Sequence, residues 1–340
     1  MPVSVVVGGQ FGSEGKGKVS YYFARRLGVK AVVRVGGANS GHTIVSENGR
    51  EYTFRTLPTS AIEPSIMCIL PSGSYINPEI LRSEISISGI ASENLKIDPD
   101  AVIIDQSMVS AEQQANLRDK IGSTESGTGI AVIKRISRDN GVYFAKDCDD
   151  FHPYITNTKE LMRSILEHKG HILIEGTQGF GLSPIHSGFY PYCTSRDTTA
   201  ASFIAETGLS PFDIENVILV IRTFPIRVSG NSGPLLNETD WEKVTRMSGA
   251  VVDLTEYTSA TNRVRRVAEF DSEIVKRAIQ VNQPNTIVLN HVDYLDYSCH
   301  NSDEIPDSVV ASINKIASDI GKGIQYIGTG KALVIPAFGE

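Results

Sequence analysis

Residues 8 to 18 read Gly8-Gly9-Gln10-Phe11-Gly12-Ser13-Glu14-Gly15-Lys16-Gly17-Lys18, directly after the mostly β-branched run Val3 to Val7. Helical character follows from Lys16 to Leu27. Glycines at this density let backbone N–H groups close on phosphate oxygens, a helix start adds a favourable dipole, and lysine supplies a compact positive charge. The segment Gly12 to Lys18 nearly fits the Walker phosphate loop, but Val19 stands where a metal-binding Ser or Thr belongs, and no GxGxxG occurs. It reads as a phosphate cradle of another kind. A second loop, Gly36-Gly37-Ala38-Asn39-Ser40-Gly41-His42-Thr43, sets a histidine among glycines after the apolar run Lys30 to Val35. A histidine so placed is a candidate for proton donation or charge stabilisation. Further on, Arg263, Arg265 and Arg266 crowd one short stretch. Guanidinium forks suit paired carboxylates, although such a run can also be a solvated basic strip.

These residues need a scaffold. Besides Val3 to Val7 and Lys30 to Val35, buried-strand runs occur at Ile66 to Leu70, Ala101 to Ile104, His171 to Ile174, Asn216 to Ile221 and Thr286 to Asn290. Helical patterns at Ala111 to Ile121, Thr158 to His168, Asp271 to Val281 and Pro306 to Ile320 alternate with them. This order predicts an α/β fold, a largely parallel central sheet covered by helices, with ligands at the carboxyl ends of strands. No repeat, low-complexity tract or Pro/Gly-rich linker divides the chain, so residues 1–340 are expected to form one domain.

The 340 residues are 41% hydrophobic and 21% charged, enough apolar material for a sizeable core. A net charge of −7 argues against general nucleic-acid binding, so any anion must be held by a local cluster. No apolar run is long enough to span a bilayer, and the first residues lack a charged leader, which points to the cytoplasm. Cys68, Cys148, Cys193 and Cys299 make no metal spacing and suit a reducing compartment.

The two glycine loops resemble the GxQxGDEGKGK and GGxNAGH signatures of adenylosuccinate synthetases. Ile121-Gly122-Ser123-Thr124 with Gly127 and Gly129 is similar to that family's nucleotide-phosphate loop, Glu175-Gly176-Thr177-Gln178-Gly179 to its EGAQG, and Tyr190-Pro191-Tyr192-Cys193-Thr194-Ser195 to its YPYVTS. Thr261 to Arg266 resembles its aspartate loop, and Asn290-His291-Val292-Asp293 its base-recognition segment. The likeness runs along nearly the whole chain, which is nearer in length to the compact archaeal and phage forms.

The resemblance implies a P-loop-NTPase-like adenylosuccinate synthetase fold and a Mg²⁺-dependent carbon–nitrogen ligase acting as a homodimer. It implies that Ser13, Glu14, Gly15, Lys16, Gly17, Gly41, His42, Thr43, Asn290 and Asp293 meet the triphosphate, with Ser13 and Gly41 on Mg²⁺. Ser13, Asn39, Ser123, Thr124, Gln178 and Thr194 would hold a purine monophosphate, joined by Arg138 from the partner subunit. Thr261, Arg263 and Arg265 would hold L-aspartate. Ser13, Lys16, His42 and Gln178 would carry the chemistry: the 6-oxygen takes the γ-phosphate, and the aspartate amine then displaces it.

Two departures matter. Ser13 stands where the family has a catalytic aspartate, and serine is a poor base at neutral pH. It does leave room for the 2-amino group of guanine, so the chain resembles the phage branch that acts on dGMP to make the precursor of 2-aminoadenine DNA. His291 stands where the family has lysine, which favours ATP or dATP over GTP. The alternatives are an ordinary synthetase using IMP and GTP, and a non-catalytic purine-nucleotide binder; retention of the aspartate loop weighs against the latter.

Overall fold

The computed structural model describes residues 2–258 and 262–337. Among them nine strands make the central sheet: β1 (Val3–Gly8), β2 (Ala31–Arg34), β3 (Met67–Leu70), β4 (Leu95–Ile97), β5 (Ile172–Glu175), β6 (Ile214–Arg222), β7 (Thr286–Asn290), β8 (Tyr326–Thr329) and β9 (Leu333–Pro336). Their spatial order is β9-β8-β7-β6-β1-β5-β2-β3-β4. Every neighbouring pair is parallel except β8 with β9. The expected α/β architecture is thus present.

Period-2 alternation decides what each strand feeds. Val5 and Val7 of β1 join Val33, Leu219 and Leu289 in a core closed by Met162, Phe203, Ile274 and Ile313. Those four come from the helices Thr158–Glu167, Ala200–Thr207, Ser272–Asn282 and Asp307–Ile320. Val6, between them in sequence, faces the other way with Val32, Ile218 and Val288, against Val19, Phe23 and Ala24 of α1 (Lys16–Arg26). Both faces being covered explains why these strands read as continuous apolar runs.

Two expectations are corrected. Val102–Ile103, from the run at Ala101 to Ile104, pairs with Tyr75–Ile76 in a separate two-stranded sheet. The single helix expected over Ala111 to Ile121 is two, Gln106–Gln114 and Leu117–Ile121. Asn116, left-handed at φ 51°, separates them, and Asp105 starts the first by accepting from the Met108 N–H at 3.0 Å.

β1 lies between β5 and β6, each reached by a long crossover, so the carboxyl ends of β2, β5, β1, β6 and β7 deliver their loops to one edge. In open α/β sheets this is where ligands bind. No described helix is long and apolar enough to cross a membrane.

Candidate active site

After β1 the chain turns through Gly12 (φ 92°), Ser13 (φ 57°) and Gly15 (φ 86°), left-handed positions that bend the loop tightly. A Cβ at Gly15 would lie 2.6 Å from Asn290 Nδ2, and one at Gly17 would lie 2.8 Å from His42 Cβ. The glycines therefore let the first loop touch both β7 and the second loop. Glu14 folds back beneath: its carboxylate accepts from the N–H groups of Gln10 (3.1 Å) and Gly12 (2.8 Å) and from the Lys16 ammonium (2.6 Å). Both members of that ion pair are buried. Asn290 braces the loop by donating to the Glu14 carbonyl at 2.7 Å, while its own Oδ1 is buried without a partner.

His42 sits in a buried cluster that no single motif announces. Arg34 and Glu175 end β2 and β5 and stand opposite each other in register. Both reach His42 Nδ1, Arg34 NH1 at 2.6 Å and Glu175 Oε1 at 2.6 Å, and they pair with each other. Thr59 donates to the other Glu175 oxygen through its N–H (3.0 Å) and hydroxyl (2.7 Å). Burial, reinforced by the Arg34 charge and opposed by Glu175, pulls the His42 pKa down to about 3. Burial alone would raise Glu175, but Arg34 and His42 outweigh it and hold that carboxyl at about 2. The imidazole of the ligand-free protein is therefore neutral, and its Nε2 is buried with no partner.

Ser13 is exposed at the tip of the first loop. Its hydroxyl accepts from the Arg265 guanidinium, and its carbonyl accepts from Arg222 at 2.9 Å. Arg222, buried at the end of β6, pairs with Glu256, which also accepts from the Tyr294 hydroxyl at 3.0 Å. Burial would raise Glu256, yet Arg222 overrides it and holds the group at about 2. Arg265 is further tied by its Nε to the Tyr257 carbonyl at 2.9 Å. Arg263 stays exposed, its N–H on the Thr258 hydroxyl at 3.1 Å. Thr261 lies outside the described residues.

Asn39 and Thr194, distant in sequence, meet at 3.5 Å. Gln178 follows β5 in a left-handed conformation (φ 65°), close enough that a Cβ at Gly8 would lie 2.8 Å from its carbonyl. Ser123 accepts from the Glu125 N–H at 3.1 Å, beside a half-buried Thr124. Gly41 leads into the hairpin His42–Val45 and Glu51–Phe54, where the Thr43 hydroxyl faces Thr53 at 2.9 Å. Arg138 is exposed in the cap (φ 59°) after the helix Thr128–Ser137. Beyond the first loop a cleft of about 800 Å³ opens, lined in part by Glu256, His291, Asp293, Tyr294, His300 and Lys331. Arg34, Glu175 and Glu256 had no role in the sequence reading; the signal for the first two was a charge closing an otherwise apolar strand.

The sequence model of the family described as adenylosuccinate synthetase matches residues 5–146 and 142–300. The adenylosuccinate synthetase of Methanococcus aeolicus is 34% identical over 98% of this chain and 98% of its own, and that of Pyrococcus horikoshii 33% over 98% and 97%. Among solved structures, the succinoaminodeoxyadenylate synthetase (PurZ) of cyanophage S-2L, bound to dGMP and dATP as an energy donor, superposes with a TM-score of 0.83 at 27% identity, covering 99% of this chain and 95% of that one. The fully ligated adenylosuccinate synthetase of Plasmodium falciparum, 20% identical, shares the fold with a TM-score of 0.85 over 98% and 99%. A glycine loop, a second loop carrying a clamped histidine, and these matches along the whole chain lead to one assignment: the protein belongs to the adenylosuccinate synthetase family, ligases that form carbon–nitrogen bonds.

Proposed function

We propose that the protein condenses L-aspartate with dGMP, driven by ATP or dATP, to give N6-succino-2-amino-2'-deoxyadenylate for 2-aminoadenine DNA. The observation that carries this reading is Ser13, a small neutral side chain at the exposed tip of the phosphate loop. A carboxylate there would crowd the 2-amino group of guanine, whereas the hydroxyl can accept a hydrogen bond from it. The likeness to the cyanophage enzyme, solved with dGMP and dATP, supports the same branch.

The reaction runs in two displacements. The purine 6-oxygen attacks the γ-phosphorus, forming an O–P bond as the β,γ-bridging bond breaks and the N1 proton passes to solvent; the aspartate amine then forms the C6–N bond, phosphate leaves with the C6–O electron pair, and the surplus amine proton passes to solvent. Positioning and charge supply most of such catalysis. Lys16 and the N–H groups of Gly15 and Gly17 hold the triphosphate, and His42 Nε2 meets the 6-oxygen. Asn39, Thr124, Gln178 and Thr194 orient the monophosphate, with Arg138 reaching it from a second copy; the exposed Ile133 (61%) and Ile136 (70%) beside Arg138 support a contact there. Arg263 and Arg265 take the aspartate carboxylates, Arg265 turning from Ser13 to do so. Mg²⁺ spreads the triphosphate charge when bound, and the hard oxygens of Ser13 and the Gly41 carbonyl suit an ion that keeps most of its ligands from water and phosphate. Among the described residues no three acidic, histidine or cysteine side chains gather to hold a metal by themselves.

An ordinary IMP-using enzyme is the second reading, favoured by relatives of that name at 33–34% identity. Incubation with aspartate, Mg²⁺, ATP or GTP, and either dGMP or IMP separates the two. Succinylated product from dGMP is expected; product from IMP and none from dGMP would refute the proposal.

A further inference from the structure

Asn39, Thr124 and Thr194 come from loops far apart in sequence, and one helical turn touches all three loops. That turn, residues 127–130, starts the helix Thr128–Ser137, and Thr124 lies just upstream of it. A Cβ at Gly37 would lie 2.5 Å from Thr128 Cγ2, so the turn bears on the second glycine loop, which carries Asn39 and His42. A Cβ at Gly129 would lie 3.8 Å from Ser195 Cβ, so the turn also meets the segment that carries Thr194. A helix start leaves its first N–H groups without partners, and the side chain of the capping residue normally accepts from them. Gly127, left-handed at φ 80°, has no side chain to offer, and a Cβ there would lie 2.7 Å from Ile104 Cγ2. Glu112, from the helix Gln106–Gln114, takes over that task. Its Oε2 accepts from the Gly127 N–H at 2.7 Å, and its Oε1 accepts from the Gly129 N–H at 2.7 Å and the Ile130 N–H at 3.4 Å. The carboxylate belongs to a residue only 3% exposed. N–H groups that could have received a phosphate are already engaged, so this turn is a mount for the loops around it and not itself an anion site.

We propose that Glu112 is a positioning residue for the purine monophosphate: by fixing this turn before any ligand arrives, it sets the spacing of the loops that carry Asn39, Thr124 and Thr194. The inference rests on reading those three residues as ligands of the monophosphate. A carboxylate that grips backbone donors at both of its oxygens, through charge-assisted hydrogen bonds, holds the turn against both sliding and rotation. Without that grip the ligand itself must bring three loops into register, and the ordering is subtracted from its affinity. The triphosphate cradle is held by other contacts, those of Glu14, Lys16 and Asn290, and is left as it was.

Two substitutions release the turn in different ways. Glu112→Gln keeps the shape, but its amide turns a donor toward one of the N–H groups. Gly129→Ala sets a Cβ 2.9 Å from Glu112 Oε1 and drives that oxygen off the turn, while alanine favours the helix over glycine. Affinities are taken by calorimetry on the full chain for dGMP, for IMP and, with Mg²⁺, for the non-hydrolysable analogues AMPPNP and GMPPNP. Both variants are expected to bind dGMP about tenfold more weakly, the effect of one charge-assisted hydrogen bond lost, with the triphosphate analogues within about twofold of wild type. In steady state the KM for dGMP should rise likewise, while kcat at saturation stays within about threefold. An unchanged dGMP affinity in either variant overturns the inference, since Glu112 would then serve stability alone. An equal loss for dGMP and the triphosphate analogues also overturns it, because the whole site would then have loosened. If Glu112→Gln does not fold, Gly129→Ala decides. Should the wild type bind IMP and not dGMP, the proposed function fails, and the same comparison is read on IMP.

Discussion

A histidine clamped at one ring nitrogen has only the other to offer. Arg34 and Glu175 both engage Nδ1 of His42; in the proposed reaction Nδ1 accepts from Arg34, which leaves Nε2 carrying the N–H that meets the developing charge on the 6-oxygen. His42→Ala is accordingly expected to lower kcat by about 10²- to 10³-fold, the usual cost of one such donor, with triphosphate affinity within a few-fold of wild type. Wild-type kcat in the purified variant would remove the role. Arg263 is exposed and unburdened by an ion pair among those described, which suits a side chain waiting for a carboxylate. Arg263→Lys keeps the charge but not the fork, so steady-state kinetics should show the KM for aspartate rising more than that for either nucleotide. An equal rise in all three would misplace the loop. Lys16 and His42 were legible from type and spacing alone, because glycine-rich loops declare themselves, whereas Ser13 gained its meaning only from the family resemblance. The partners of Lys16 and His42 were not, since Glu14 and Glu175 acquire meaning only when the loops fold back on neighbouring strands.

The element that makes this clamp is the parallel pair β2 and β5. Their register sets Arg34 opposite Glu175 at the two carboxyl ends, and one residue of slip in either strand would turn its charged side chain to the other face, away from its partner. Glu175→Gln leaves the Arg34 charge buried without its counter-charge and offers an amide N–H₂ to either Thr59 or Arg34, both of them donors already. Unpairing a buried charge typically costs about 3–5 kcal/mol, so a marked fall in the thermal unfolding midpoint is expected together with loss of turnover. A variant that melts like the wild type would show the pair to be dispensable. Seven apolar runs were legible as strands because both sheet faces are covered, and six of them enter the central sheet. The seventh, at Ala101 to Ile104, looks the same in sequence; only its neighbours differ. The short β4 and the terminal hairpin β8 and β9 lacked a comparable signal.

Across the molecule, charge buried at the site couples stability to pH. Glu175 and Glu256 fall to about 2 from an ordinary 4.5, so each contributes stability that is full above pH 4.5 and lost as pH drops toward 2. His42, down to about 3 from 6.5, acts with the same sign between those values, because the unfolded chain takes up a proton that the folded site refuses. Urea midpoints should therefore decline from pH 7 to 5.5 and more steeply below 4.5; a flat profile would contradict the buried network. The strand order could not be read from the sequence, since β5 and β6 flank β1 only through long crossovers, yet the largely parallel, helix-covered sheet was legible from the alternation of strands and helices. Whether Ser13 marks a guanine substrate is decided by kcat/KM for dGMP and for IMP in the wild type and in Ser13→Asp. A wild-type ratio strongly favouring dGMP is expected, with a collapse of dGMP turnover in the variant. A wild-type ratio favouring IMP, or dGMP turnover untouched by the substitution, would contradict it.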